Sequence, residues 1–143
     1  MSNVIEVEDL CKRYDGFAME NLNLSIPQGG IMGFIGANGA GKTTTIYSIL
    51  NIIPVDAGRI RIFGKDYKKD EQEIKQDIGV VFDEMGYHGI MTPLQISRMM
   101  KSIYHNWSEM EFAKYLDRFG LPYKKRCGTF SRGMRMKLQI AVA

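Results

Sequence analysis

Long apolar runs are absent from this sequence. No stretch approaches the roughly 18 to 20 residues that a membrane-spanning helix needs, and Met1 to Asp9 places acids where a secretory signal has a basic start and an apolar run. The expectation is a soluble, cytoplasmic chain. Cysteine is scarce: Cys11 and Cys127 stand far apart without metal-ligand spacing, which reads as two reduced thiols rather than a bridge or a metal site. The 4 prolines and 15 glycines follow no period, excluding collagen-like and low-complexity readings, and 45% hydrophobic residues are too many for disorder. Internal repeats and a linker to a second independent domain are also missing. What is there is 143 residues of ordinary globular composition, enough for one domain with a sizeable core.

The formal net charge of +3 conceals an asymmetry. Residues 1 to 91 carry 9 basic and 13 acidic side chains, net −4, whereas residues 92 to 143 carry 10 and 3, net +7. A basic C-terminal third implies an anionic partner or a solvated face, and charge alone does not choose between phosphate, RNA and neither.

Strand-like alternation appears at Val4 to Val7, at Leu22, Leu24 and Ile26, and at Ile60 and Ile62, as half-exposed strands require. Ile31 to Ile35 and Ile78 to Phe82 are nearly unbroken apolar runs with glycine inside, the pattern of strands buried on both faces, and they predict a partly parallel, helix-covered sheet. Lys42 to Asn51 reads as a helix with Ile46, Ile49, Leu50 and Ile53 on one side. Thr92, Pro93 and Gln95 open a helix with Ile96, Met99, Met100 and Ile103 at i, i+3, i+4, i+7, and Ser108 with Glu111 forms a second capping box before Phe112, Tyr115, Leu116 and Phe119, stopped by Gly120. Ser131 caps a third helix burying Met134, Leu138 and Ala141, inside which the sequence stops. The ten methionines read as core or adaptable contact surface, Lys124, Lys125 and Arg126 as a solvated face, and His88 and His105 as surface histidines.

One motif carries chemistry. Gly36-Ala37-Asn38-Gly39-Ala40-Gly41-Lys42-Thr43 fits G-x-x-x-x-G-K-[ST] without mismatch, directly after an apolar run and directly before a helix. A chance match is expected in fewer than about one chain in a hundred of this length. Glycines let the backbone curl so that the N–H groups of Gly39 to Thr44 point inward, and the helix N-terminus adds its positive dipole end. Lys42 is placed to reach the β and γ phosphates, the Thr43 hydroxyl to ligate Mg²⁺ and Thr44 to support the α-phosphate. The motif therefore points to a purine triphosphate with magnesium.

With these residues in view, the chain resembles the ATP-binding cassette (ABC) family, the nucleotide-binding subunits of ABC transporters, from about Ile5 to the last residue. Leu10-Cys11-Lys12-Arg13-Tyr14 is similar to the segment whose aromatic residue stacks on adenine, which makes Tyr14 the expected base platform. Asn51 to Ile60 is similar to the loop after the P-loop helix. The resemblance implies an α/β P-loop NTPase with an antiparallel β subdomain and a helical subdomain: core to about residue 91, helical subdomain over 92–130, signature helix over 131–143.

Two sites depart from the family pattern. After Ile78 to Phe82 the family usually has a glutamine; here Asp83 stands, with Glu84 behind it, as a residue on the metal side of the site. The signature Leu-Ser-Gly-Gly-Gln is replaced by Phe130-Ser131-Arg132-Gly133-Met134, in which Ser131 and Gly133 keep the groups that bind a γ-phosphate held by the opposite protomer. Arg132 and the Gly-Met-Arg-x-Lys-Leu continuation look like the exporter branch.

By this resemblance, the chain binds ATP and Mg²⁺ and acts as the energy-coupling subunit of an exporter. Its expected partners are a second ABC subunit, in a homo- or heterodimer, and transmembrane permease subunits that hold it at the inner face of the cell membrane; no direct nucleic-acid contact is expected. The alternative is a soluble ABC-type ATPase acting on the ribosome, RNA or DNA, and a P-loop nucleoside kinase lacks its Arg-rich lid. The family's aspartate-glutamate strand end and its histidine are expected beyond Ala143, in a longer ATPase. From that follow two more expectations: binding of ATP·Mg without efficient turnover, and an apolar sheet edge favouring an oligomeric or partner-completed state.

Overall fold

The computed structural model describes every residue except Met1, Glu84, Met85 and Tyr87, so the expectation for Glu84 lies outside the described residues. Its contacts divide the chain into two compact units, Met1–Ile74 and Lys75–Ala143. None of its helices is long and apolar enough to cross a membrane, among the described residues.

In the first unit the alternating segments pair into a four-stranded antiparallel sheet of order β2-β1-β3-β4, with β1 Asn3–Tyr14, β2 Phe17–Pro27, β3 Ala57–Ile62 and β4 Lys65–Asp66. The β1–β2 ladder runs from Asn3↔Pro27 to Tyr14↔Phe17 and closes through a two-residue turn at Asp15 and Gly16, while Ile5↔Ile62 and Val7↔Ile60 bind β1 to β3. Val7, Leu10, Ile60, Ile62, Tyr67 and Ile74 are buried, Ile60 and Ile62 at the period-2 spacing of a strand.

β1 is not regular. Its register shifts against β2 between Val7 and Leu10 and against β3 between Glu8 and Cys11, and Asp9 has φ +47°. The bulge changes which residues face inward. Val7 is buried before it; after it Leu10 and Lys12 are buried, an odd-to-even change that one extra residue produces. Asn23 fastens the kink: its Oδ1 accepts from Asp9 N at 3.0 Å and its Nδ2 donates to Asp9 Oδ1 at 3.1 Å. Gly58, at φ +99°, passes so close that a Cβ there would sit 2.6 Å from the Asp9 carbonyl oxygen, so only glycine fits.

The predicted helix after the glycine-rich loop forms as α1, Lys42–Ile49, two residues shorter than expected, with Asn51 at φ +53° beyond its end. Its apolar side is only partly inward: Ile49 is buried, Leu50 and Ile53 are half-buried and Ile46 is exposed.

The two unbroken apolar runs form no strands. Residues 31–35 and 78–82 have no ladder partner among the described residues; Ile31 and Ile35 are fully exposed, and Met32, Val81 and Phe82 are also exposed. A strand is defined by the neighbours that accept its backbone hydrogen bonds and cover its faces. An apolar run records the demand for such neighbours without supplying them. The expected parallel sheet is therefore not formed among the described residues; in the second run Phe82 N donates to Gln139 Oε1 at 3.2 Å.

The second unit is helical: α3 Pro93–Ile103, α4 Glu109–Phe119 and α5 Arg132–Val142, after the short α2, Glu71–Gln76, in which the division between units falls. Thr92 caps α3 with both halves of the predicted box, Gln95 N donating to Thr92 Oγ1 and Thr92 N to Gln95 Oε1. The box expected at Ser108 is only half formed. Glu111 N donates to Ser108 Oγ at 3.2 Å, but the Glu111 carboxylate takes the Lys114 ammonium at 2.6 Å in place of the Ser108 backbone N–H. Gly120 ends α4 at φ +65° as read. Ile96, Met100, Phe112, Leu116, Leu121, Cys127, Phe130, Leu138, Ala141 and Val142 form one core, with Trp107 tilted against Phe112 at 5.3 Å between ring centroids.

Leu116 is completely buried in this core, whereas Tyr115 beside it is 41% exposed. Leu116→Ala is expected to destabilise the protein by about 2 to 5 kcal/mol and Tyr115→Ala by about 1 kcal/mol or less, read from urea unfolding. Equal costs would show that the helical face is misassigned.

Candidate functional site

The glycine-rich segment makes a compact loop ahead of α1. Ala40 N donates to Ala37 O at 3.2 Å, closing a turn, and Gly39 and Gly41 both take left-handed conformations, φ +85° and +87°. Gly41 is the N-cap of α1 and supplies no side chain to its first amides, and the first turn carries no acid. The contrast with the other long helices is chemical: Thr92, Ser108 and Ser131 each satisfy an amide of α3, α4 and α5 with their own oxygens. At α1 the orphan N–H groups and the positive end of the helix dipole are left for an anion from outside.

Lys42 folds back over this loop. Its Nζ donates to Gly36 O and to Ala37 O, both at 2.7 Å, so two of three ammonium donors hold the loop's own carbonyls and the third remains for a ligand. Asn38 stands at the tip of the turn, Thr43 is exposed in the first turn of α1 and Thr44 is half-buried beneath it. Thr45 is the buried member of the threonine run: its Oγ1 lies 2.9 Å from Gly41 O and 3.3 Å from the sulfur of Met19 on β2.

The sheet reaches the loop at a second point. A Cβ at Gly41 would meet Phe17 Cζ at 2.9 Å, so the Phe17 ring lies on the cap of α1. Across the hairpin turn Phe17 is tilted 35° to Tyr14 with centroids 6.3 Å apart, and Tyr14 is 48% exposed. The expected base platform and the loop thus both border one phenylalanine.

The sequence reading missed Lys12 and Asp56. Lys12 is buried; its Nζ donates to Asp56 Oδ1 at 3.2 Å and lies over the Tyr14 ring at 5.0 Å from the centroid. Asp56 Oδ2 accepts from Arg13 N at 2.7 Å, and Asp56 N donates to Cys11 O at 3.0 Å. The Arg13 amide first, and the Lys12 side chain next, hold the Asp56 carboxyl below the ordinary carboxylate range. The available signal was the two-residue spacing that puts Lys12 on the same strand face as Tyr14.

In the second unit Asp83 is exposed just past the Gln139 anchor. Ser131, exposed, opens α5; its Oγ accepts from Met134 N at 3.2 Å, leaving the hydroxyl proton free to donate, and Gly133 follows in the first turn. Lys124, Lys125 and Arg126 are exposed, as are His88 and His105. Cys11 and Cys127 are free thiols, and burial pushes the Cys127 thiol up.

The residues present fit a polyphosphate: open amides, a dipole end and an ammonium around a loop in which glycine is required. No group of three or more His, Cys, Asp or Glu converges on a metal position among the described residues. A magnesium ion here would rely on the Thr43 hydroxyl, phosphate oxygens and water, the oxygen set that this hard, reluctantly dehydrated cation prefers.

Comparison with known proteins gives the same direction. The family described as ABC transporter matches residues 19–143. The bacitracin transport ATP-binding protein BcrA of Bacillus licheniformis is 36% identical over 146 residues, covering 100% of this chain and 48% of that protein. The daunorubicin/doxorubicin resistance ATP-binding protein DrrA of Streptomyces peucetius is 31% identical over 148 residues, covering 99% of this chain and 45% of its own length. A solved structure described as an ATP binding subunit of an ABC transporter superposes with a TM-score of 0.86 at 26% identity, covering 98% of this chain and 61% of that one. The chain spans about half the length of the curated relatives it matches.

Gly39 and Gly41 share a left-handed backbone, but only at Gly41 does a neighbour stand in the way of a Cβ. Gly39→Ala is expected to cost about 1 kcal/mol of backbone strain, and Gly41→Ala distinctly more, in thermal unfolding. Equal losses would remove Phe17 from the cap of α1.

Proposed function

We propose that this chain, which belongs to the ABC transporter family, binds ATP with Mg²⁺ at residues 36–44 and serves as the energy-coupling subunit of an exporter. The observation that carries this reading is the uncapped N-terminus of α1, wrapped by a loop whose two left-handed glycines are followed by Lys42. The backbone amides of Gly39 to Thr44 receive the phosphate oxygens. Lys42, with one donor spare, binds the β and γ phosphates, which compete with the Gly36 and Ala37 carbonyls for its other donors. The Thr43 hydroxyl holds magnesium, which when bound neutralises phosphate charge and polarises the γ-phosphoryl group. Tyr14 offers its exposed ring to the purine, a contact worth about 1 to 3 kcal/mol per base.

Asp83 takes the place of a glutamine and acts on the metal side, through water. Ser131, by its hydroxyl proton, and the Gly133 amide bind the γ-phosphate of nucleotide held by a second cassette subunit, homo- or heterodimeric. ATP hydrolysis in the whole protein then separates the pair, and permease subunits convert the motion into export, which places the protein on the inner face of the cell membrane. The antibiotic-transport and drug-resistance names of BcrA and DrrA, together with Arg132 in the signature segment, support export over a ribosome- or nucleic-acid-directed ATPase.

Isothermal calorimetry with Mg·ATP tests the reading. Binding is expected for the unaltered protein, and Lys42→Ala is expected to weaken it at least about tenfold, the loss of one charge-assisted phosphate contact. Absence of heat with the unaltered protein, or equal affinity in the variant, would refute it.

A further inference from the structure

We infer that Lys12, anchored by Asp56, is a positioning residue for nucleobase recognition: it covers one face of the Tyr14 ring and fixes the tyrosine so that the exposed part of the ring is presented to a purine. The inference rests on the nucleotide reading above and extends it to two residues that carry no phosphate or metal role.

A lysine is among the side chains least often buried, and burying its ammonium is costly unless that charge is compensated. Lys12 is only 7% exposed, and two groups compensate it: the Asp56 carboxylate at 3.2 Å and the Tyr14 ring at 5.0 Å. An ion pair alone would satisfy the charge without the ring. The ammonium is held where its field acts on a π face; Phe17, tilted 35° with its centroid 6.3 Å away, borders the ring as well, and the 48% exposure of Tyr14 leaves ring surface for stacking.

Asp56 also reaches the tyrosine through the main chain. Its second oxygen accepts from Arg13 N at 2.7 Å, one peptide before Tyr14, so the strand next to the tyrosine and, through Lys12, the tyrosine ring are held by the same carboxylate. Such tethering is needed because Tyr14 is the last residue of β1, at the mouth of a two-residue turn where a half-exposed aromatic otherwise samples several rotamers. A platform already fixed avoids part of the ordering cost that a ligand would meet on binding. Asp56 lies in the segment that follows α1, so the fixed ring and the phosphate loop share one scaffold within the first unit.

The test compares a ligand that has a base with one that lacks it. Calorimetry is run with Mg·ATP and with Mg·tripolyphosphate on the unaltered protein, Lys12→Met, Lys12→Arg, Asp56→Asn, Tyr14→Ala and the Lys12→Met/Tyr14→Ala pair. Lys12→Met is expected to weaken ATP by about three- to tenfold while tripolyphosphate stays within about twofold, with Asp56→Asn shifting in the same direction. Lys12→Arg keeps the cation and is expected to keep ATP affinity within about twofold, which guards against a variant that fails to fold. In the Tyr14→Ala background Lys12→Met should add nothing, because the coupling runs through the ring. Equal losses for both ligands, an unchanged ATP affinity, or an undiminished effect without Tyr14 would each overturn the positioning role. Failure of the unaltered protein to bind either ligand would instead remove the nucleotide reading, and this role with it.

Discussion

A loop able to receive a polyphosphate through its backbone must turn successive N–H groups toward one point, and the geometry of residues 36–44 meets that demand. It requires left-handed residues, met by Gly39 and Gly41, and a helix whose first amides are not consumed by a side-chain cap, met by Gly41 as the cap of α1. The neighbours follow from it. Phe17 can lie on the cap because there is no Cβ beneath it, and Lys42 can close the loop because the turn exposes the Gly36 and Ala37 carbonyls. Thr45, pointing the other way, ties the start of the helix to Met19 on β2. The sheet and the loop are therefore coupled through packing at a single turn of backbone.

How much of this was legible depended on whether the information was local. Capping residues were readable because a cap is a contact over three positions: Thr92, Ser131 and Gly120 act as read, and Ser108 fails only in its reciprocal half, where Glu111 pairs with Lys114 instead. The amphipathic stripes of α3 and α4 buried Ile96, Met100, Phe112 and Leu116 as their spacing demanded, though Ile103 and Tyr115 at the edges of those stripes remain exposed. The conformation of the glycine-rich loop was readable for the same reason, since the positions that demand left-handed backbone, Gly39 and Gly41, lie within eight consecutive residues.

What was illegible is non-local. Ile31 to Ile35 and Ile78 to Phe82 have the composition of buried strands, yet a strand exists only with a paired neighbour, and sequence does not name that neighbour. The Lys12–Asp56 pair spans 44 positions, and nothing near either residue announces the other. The bulge at Asp9 is a further case. Asp and Asn tolerate left-handed backbone, but an extra residue in a ladder is visible only once both strands are aligned.

That bulge connects fold to site. With continuous alternation from Val7, the inward residues beyond Asp9 would be odd-numbered, placing Cys11 and Arg13 on the buried face and Lys12 in solvent. One additional residue reverses this: Lys12 goes inward, and Tyr14, two positions on, shares its face and comes under its ammonium. Asp56 can serve the reversed face because Gly58 lets β3 begin in contact with the kink, where any side chain would strike the Asp9 carbonyl. The orientation of an aromatic ring at the end of β1 is thus decided five residues earlier, by an irregularity that Asn23 and Gly58 hold in place. Irregular backbone of this kind weakens a ladder locally, and its presence is accounted for here by the side chain it redirects rather than by any gain in the sheet itself.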